Sequence, residues 1–214
     1  MSFARSVCLS LLAGLAFVAV GGSAFAQDPV SIGMPFAGYW DRYGYSPPAT
    51  HPVFHGWTGT QWSTDLYAGA GTTVKFYVSN SSTAKGKVKA VTSVPNCTWN
   101  GSPVDAGKYV AIDVLNGAGT RLGSVVYVHL DAVAVTVGQT ITSGTSLGST
   151  KLWSQSTCWA VTGASGVHTH FEAGSAVAGQ YSCWTNYAAG TYLGAGSLIG
   201  KVGTTGRTTK GACP

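Results

Sequence analysis

The sequence predicts an all-β protein, a single compact antiparallel β-sheet domain with long loops, and three observations predict it. No stretch beyond the first 26 residues keeps a 3.6-residue apolar period, so amphipathic helices are not expected. Short runs rich in Val, Thr, Ile and Tyr alternate polar with apolar residues, as half-buried strands do. Thirty glycines punctuate these runs and only 9% of residues are charged, which suits strands joined by tight turns.

The elements follow in order. Arg5, an apolar stretch over 11–20 and the small-x-small tripeptide Ala24, Phe25, Ala26 make an export signal over 1–26, cleaved before Gln27. The apolar stretch is too short for a membrane anchor, and no later run is long enough to span a bilayer. Cys8 falls inside the leader, away from the cleavage site, which argues against a lipid-anchored start. Cleavage leaves 188 of the 214 residues, enough for one domain with a sizeable core. The expected location is secreted or periplasmic. Residues 27–50 carry Pro29, Pro35, Pro47 and Pro48 among several aromatics and are expected to form an extended arm, with 51–214 as the domain. Within it, 73–78 (TVKFYV), 87–91, 109–115, 124–130 (SVVYVHL), 133–137 and 140–141 are the predicted strands, with Gly138, Gly144 and Gly148 marking turns. Lys85, Lys87 and Lys89 alternate and read as one solvated strand face.

Loss of Arg5 takes the formal charge from +5 to +4, a balance that suits a polyanionic surface such as a bacterial wall. No basic cluster supports a nucleic-acid partner. Cys97, Cys158, Cys183 and Cys213 remain after cleavage. An even count in an exported chain points to two disulfides, with three pairings open, and the spacing is not that of a zinc finger.

The chemistry is carried by few residues. The chain has five histidines: His51, His55, His129, His168 and His170. His168 and His170 stand at i and i+2 on a predicted extended segment, so both rings point to one side of a sheet, with Cα atoms roughly 6.5–7 Å apart. One imidazole can hold a metal while the other reaches a water or substrate on it. Asp65 follows the first histidine cluster, and the clusters at 51–55, 129 and 168–170 meet only in a folded chain. A hydrolytic zinc site needs three N or O ligands and one open position. Asp105, Asp113 and Asp131 have no motif around them and read as turn or surface residues. Trp57, Trp62, Trp153, Trp159 and Trp184 are divided between a groove for peptide or glycan and the core. Asn80, Asn96 and Asn100 begin N-x-[ST] sequons, which matter only in a eukaryotic secretory pathway.

Taken in order, Tyr127, His129 and Leu130 (YVHL), Val135, Gly138 and Gln139 (VTVGQ), Gly144, Leu147 and Gly148, Thr162 and Gly163, and the run His168 to Glu172 (HTHFE) form a series. It resembles the LytM/lysostaphin-type zinc metallopeptidases, in particular their β-lytic/staphylolytic branch. Residues 65–68 (DLYA) with 71–74 (GTTV) resemble an earlier segment of that family, and the likeness spans 51–172.

The resemblance implies a secreted endopeptidase, a monomer with one Zn2+ ion, that cuts peptide bonds in peptidoglycan stems or cross-bridges beside small residues. It implies Asp65, His170 and an upstream histidine as metal ligands, His129 and His168 as the catalytic pair, and the disulfides Cys97–Cys158 and Cys183–Cys213. The first ligand is expected at His55, ten residues before Asp65, with His51 as the rival. The lysostaphin branch carries that ligand four residues before the Asp, where Gln61 stands here, whereas the β-lytic branch spaces the two by a longer loop. No Glu sits in an H-E-x-x-H frame, so the two histidines must orient or deprotonate the water and steady the oxyanion, in an order the sequence leaves open. Glu172, on the strand face of His170, is a candidate partner for a ligand imidazole or a strand-end residue. The second reading is a non-catalytic LytM-like module that binds the wall or regulates an amidase, which Gln61 favours. A carbohydrate-binding domain working through its tryptophans leaves the histidines unexplained.

Overall fold

The structure, a computed structural model, describes residues 29–40, 61–79, 83–94, 98–99, 102–103, 105–152, 167–175, 181–185, 187–204 and 211–213. The leader, His51, His55, Cys97, Cys158, Trp57, Trp153, Trp159, the three sequon asparagines, Thr162 and Gly163 lie outside them.

All regular structure among the described residues is strand, as the composition predicts. In chain order these are β1 (Val30–Gly33), β2 (Gly38–Trp40), β3 (Gln61–Tyr67), β4 (Thr73–Lys75), β5 (Val78–Ser79), β6 (Lys85–Ser93), β7 (Thr98–Trp99), β8 (Ser102–Pro103) and β9 (Lys108–Leu115). There follow β10 (Arg121–Val133), β11 (Thr140–Ile141), β12 (Ser146–Thr150), β13 (His168–Ser175), β14 (Tyr181–Trp184), β15 (Tyr192–Leu193), β16 (Leu198–Thr204) and β17 (Gly211–Ala212). No helix here is long and apolar enough to cross a membrane.

The large sheet has ten strands, eight of them in the order β11-β6-β9-β10-β13-β3-β2-β15, with β12 pairing β10 and β4. A five-stranded sheet runs β17-β14-β16-β1-β5, and β7 and β8 form a small ribbon. The one parallel pairing among these strands is β14 with β17; the rest are antiparallel. Residues 29–40, expected as part of an arm, instead supply one strand to each large sheet: β1 lies between β16 and β5, and β2 between β3 and β15.

Two further differences from the sequence reading have local causes. The run 73–78 is split into β4 and β5, which join different sheets, because the chain leaves the first ladder at Phe76 and Tyr77. Residues 134–137 form no strand, since β10 ends at Val133 and a turn closes over Gly138 and Gln139. Trp62 and Trp184 are core residues, packed against each other at 6.5 Å, with Phe171 at 5.4 Å from Trp62. The lysine alternation of β6 is as predicted, with Lys85, Lys87 and Lys89 exposed while Gly86 and Val88 are buried.

The centre of the large sheet is covered on both faces. Trp62, Leu66, Val125, Tyr127, Phe171 and Ala173 belong to the main hydrophobic core. Residues Val94, Ala106, Ala111, Val126 and Val128 form a second, smaller cluster. Val126 stands opposite Glu172 and Ala111, so this cluster shares a face with the even-numbered residues of β13. Cys183 and Cys213 form a disulfide that closes 30 residues of the C-terminal part, one of the two pairings the resemblance implies.

Candidate active site

The site is built where β3, β13 and β10 lie side by side. β13 alternates strictly: Thr169, Phe171 and Ala173 face one way, His168, His170 and Glu172 the other. Its partner β3 presents Asp65 directly opposite His170 and Tyr67 directly opposite His168. Opposed residues of neighbouring strands share a face, so register alone brings the carboxylate between the two histidines. His170 Nδ1 lies 2.9 Å from Asp65 Oδ1, and His168 Nε2 lies 3.9 Å from the same oxygen. The far nitrogen of His170, Nε2, is 3.1 Å from Glu172 Oε1. Asp65, His168, His170 and Glu172 are all buried.

His129 reaches this face by a different device. Along β10, Val125 and Tyr127 face the main core while Val126 and Val128 face the site, so plain alternation would send His129 into the core. The register of β10 with β9 shifts between Tyr127 and Leu130. His129 takes the left-handed conformation at φ 64°, alone among the described non-glycine residues. That extra residue turns His129 to the site face and returns Leu130 to the core. It is a β-bulge that re-aims a side chain, built with a residue for which left-handed backbone costs on the order of 1–3 kcal/mol.

The ring of His129 meets that of His168 edge to face, with centroids 5.0 Å apart. Its Nδ1 lies 2.9 Å from the carbonyl oxygen of Ala106. A carbonyl only accepts, so Nδ1 carries the proton and Nε2 is left as the basic nitrogen of the neutral ring. Burial pushes the pKa of His129 down to about 3, helped by the proximity of His168, so the ring is neutral at pH 7. His170 is held the opposite way. Burial opposes its charge, but hydrogen bonds to Asp65 and then Glu172 outweigh that and raise it to about 9. Two buried imidazoles of one site thus differ in charge because burial dominates at His129, whereas two carboxylates outweigh it at His170.

The loop carrying Ala106 is itself clamped. Asp105 Oδ1 accepts the Gly107 N–H at 2.9 Å, and Asp105 Oδ2 pairs with Lys151 Nζ at 2.9 Å. Lys151 Nζ also reaches Asp131 at 3.4 Å, and its backbone N–H donates to the His129 carbonyl at 3.0 Å. Gly107 has φ 82°, and a Cβ there would meet the Leu130 carbonyl oxygen at 2.6 Å, so only glycine lets the loop approach β10 this closely. Asp105 and Asp131, read from sequence as surface residues, therefore brace the histidine from outside. The tripeptide Asp105, Ala106, Gly107 was the available turn signal, but nothing in it named the target.

The donors can be compared with the needs of a zinc ion. Asp65 and His170 offer one oxygen and one nitrogen in a buried setting, and a second carboxylate backs the far nitrogen of the imidazole, as metal-ligating histidines require. Among the described residues there is no group of three His, Cys, Asp or Glu side chains placed to hold a metal. The third ligand, expected at His55 or His51, lies outside them. The described donors, one carboxylate and one imidazole, are of the kind that zinc takes.

No protein-family model and no curated protein matches the chain. Among solved structures it is similar to a zinc-containing peptidase from Vibrio cholerae, at 24% identity and a TM-score of 0.34. The match covers 65% of this chain and 37% of that one, so the chain spans little more than a third of the solved protein's length.

Proposed function

We infer that this protein is an exported zinc-dependent endopeptidase that hydrolyses peptide bonds in bacterial peptidoglycan. The observation that carries the reading is the buried, cross-strand grouping of Asp65 and His170 beside His168 and His129, the latter held in one tautomer. Export is supported by the leader-like start of the sequence and by the Cys183–Cys213 disulfide, which belongs to an oxidising compartment. In this reading Asp65, His170 and an upstream histidine, His55 before His51, hold the metal.

Zinc at that position would polarise a scissile carbonyl and acidify a water. The chain's own residues do the rest. His129, held with its proton on Nδ1, presents Nε2 as the proton acceptor and takes the general-base role. His168, wedged between Tyr67, Asp65 and His129, is placed to steady the oxyanion or pass a proton to the leaving amine. Glu172 fixes the orientation of His170.

The test is incubation of the leader-free protein with purified peptidoglycan, with and without a chelator, followed by muropeptide analysis. Chelator-sensitive release of cut peptides is expected; unchanged muropeptides from zinc-loaded protein exclude the enzyme. His170→Ala should lose zinc and cleavage together. His129→Ala should keep zinc and lose roughly 10²–10⁴-fold in turnover. Release of the metal by His129→Ala would reverse the roles.

A second reading has one observation behind it. His170 pairs with both Asp65 and Glu172, and its pair with Asp65 ties β3 to β13 through protein groups alone, as a non-catalytic wall-binding or amidase-regulating module would have it. Wall binding with no stoichiometric zinc would select that reading.

A further inference from the structure

Beside the site, β15, β2, β3 and β13 are consecutive neighbours in the large sheet. One residue on each stands in register: Tyr192 opposite Tyr39, Tyr39 opposite Tyr67, and Tyr67 opposite His168. Opposed residues share a face, so four rings form a row at right angles to the strands. Tyr192 meets Tyr39 edge to face at 5.2 Å, and Tyr67 meets His168 at 5.4 Å. Exposure is graded along the row: His168 and Tyr67 are buried, whereas Tyr39 is 48% and Tyr192 60% exposed. Nothing in the catalytic reading uses these outer tyrosines.

A pocket of about 260 Å³ opens on the row, walled by the three tyrosines and by small residues including Ala37, Gly38, Ala68 and Gly69. Gly38 is obligatory in that wall, since a Cβ would run into the Tyr67 carbonyl oxygen. The volume lies just below the range of about 300–1,000 Å³ that takes a drug-sized ligand, which suits one ring-sized group.

Three features define that group. Among the described residues no charged side chain lines the pocket, so none of them would offset the desolvation of an ammonium or carboxylate, and the ligand is neutral. The backbone beneath is already engaged, because β2 is paired on both edges by β3 and β15, and β3 by β2 and β13. A peptide main chain could therefore extend the sheet here only at β15, the outermost strand on this side and two residues long. What remains is the electron-rich faces and hydroxyls of tyrosine. Those suit a ligand with electropositive C–H faces and a hydroxylated rim. We propose that this pocket is a saccharide subsite, which seats one neutral sugar ring of the glycan while the attached peptide lies at His129 and His168. The choice of that glycan rests on the peptidoglycan reading above; the ligand class does not.

The experiment is calorimetric titration of the chelator-treated protein, where no turnover occurs, with an N-acetylglucosamine tetramer and, separately, an alanine tetrapeptide. Saturable binding of the saccharide is expected, weakened at least tenfold in Tyr39→Ala and Tyr192→Ala and kept within twofold in Tyr39→Phe. If an alanine variant does not fold, shifts of the Tyr39 and Tyr192 ring signals in the native protein on adding saccharide take its place. Absence of saccharide binding, equal binding by both alanine variants, unmoved ring signals, or loss of peptide binding alone would each overturn the proposal. Because metal and cleavage play no part in the measurement, failure of the peptidase reading and failure of the subsite are told apart.

Discussion

His129 shows what a single residue does here. Its left-handed backbone is what turns the imidazole from the core to the site, so substitutions divide by backbone tolerance as well as by chemistry. Asn visits that region readily, and a β-branched residue does not. His129→Asn should therefore be more stable than His129→Val by about 1–2 kcal/mol, measured by urea unfolding. Equal stabilities would mean that the bulge relaxes when the ring is removed. This residue also marks where the sequence stops being legible. The division of β13 into a histidine face and a core face follows from a two-residue period and was readable in HTHFE. The orientation of His129 was not, because its left-handed backbone carries no glycine or asparagine to announce it.

At the scale of elements, the clamp on β10 is a chain of contacts from Asp105 and Asp131 through Lys151 to the loop at Ala106. Lys151 is a positioning residue: it touches the loop that sets the tautomer of His129. Lys151→Met should leave the fold intact and raise the fraction of His129 protonated on Nε2, read from imidazole ¹⁵N shifts. An unchanged tautomer would show that Gly107 and the sheet hold the loop unaided. The strands of this element were predicted because β6, β9 and β10 are rich in Val and other strand-forming residues. The clamp was invisible because its members, 105, 131 and 151, are brought together only by the pairing of β10 with β9 on one side and β12 on the other. The Cys183–Cys213 bridge acts at the same scale, tying β14 to the segment of β17. A 30-residue loop makes it worth about 3–4 kcal/mol. Reduction should lower the melting temperature by several degrees, and an unchanged melting temperature would contradict the pairing.

For the whole molecule, two histidines with opposite shifts set the pH dependence of the metal-free protein. His170 has its folded pKa raised to about 9, so its contribution is fully present below its unfolded value near 6.5 and fades as the pH rises through 9. The folded pKa of His129 is depressed to about 3, so stability falls as the pH drops below about 6.5 toward 3. Stability of chelator-treated protein should peak near pH 6.5, and His170→Gln should flatten the decline on the alkaline side. A monotonic rise from pH 5 to 9 would contradict the His170 assignment, and a monotonic fall the His129 one. An all-β chain was legible from composition and alternation. The division into two sheets was not, because nothing local tells Val78 to leave the ladder that Val74 joins.

The placement of β1 and β2 has a consequence in time. Val30 pairs with Val202, and Tyr39 with Tyr192, so the first described strands wait for almost the last. A chain emerging N-terminus first cannot seat β1 against β16 or β2 against β15 until residues near 200 have followed. Contacts this far apart in sequence form slowly. Until they do, β1 and β2 lack one neighbour each, and the five-stranded sheet closes only once nearly the whole chain is present.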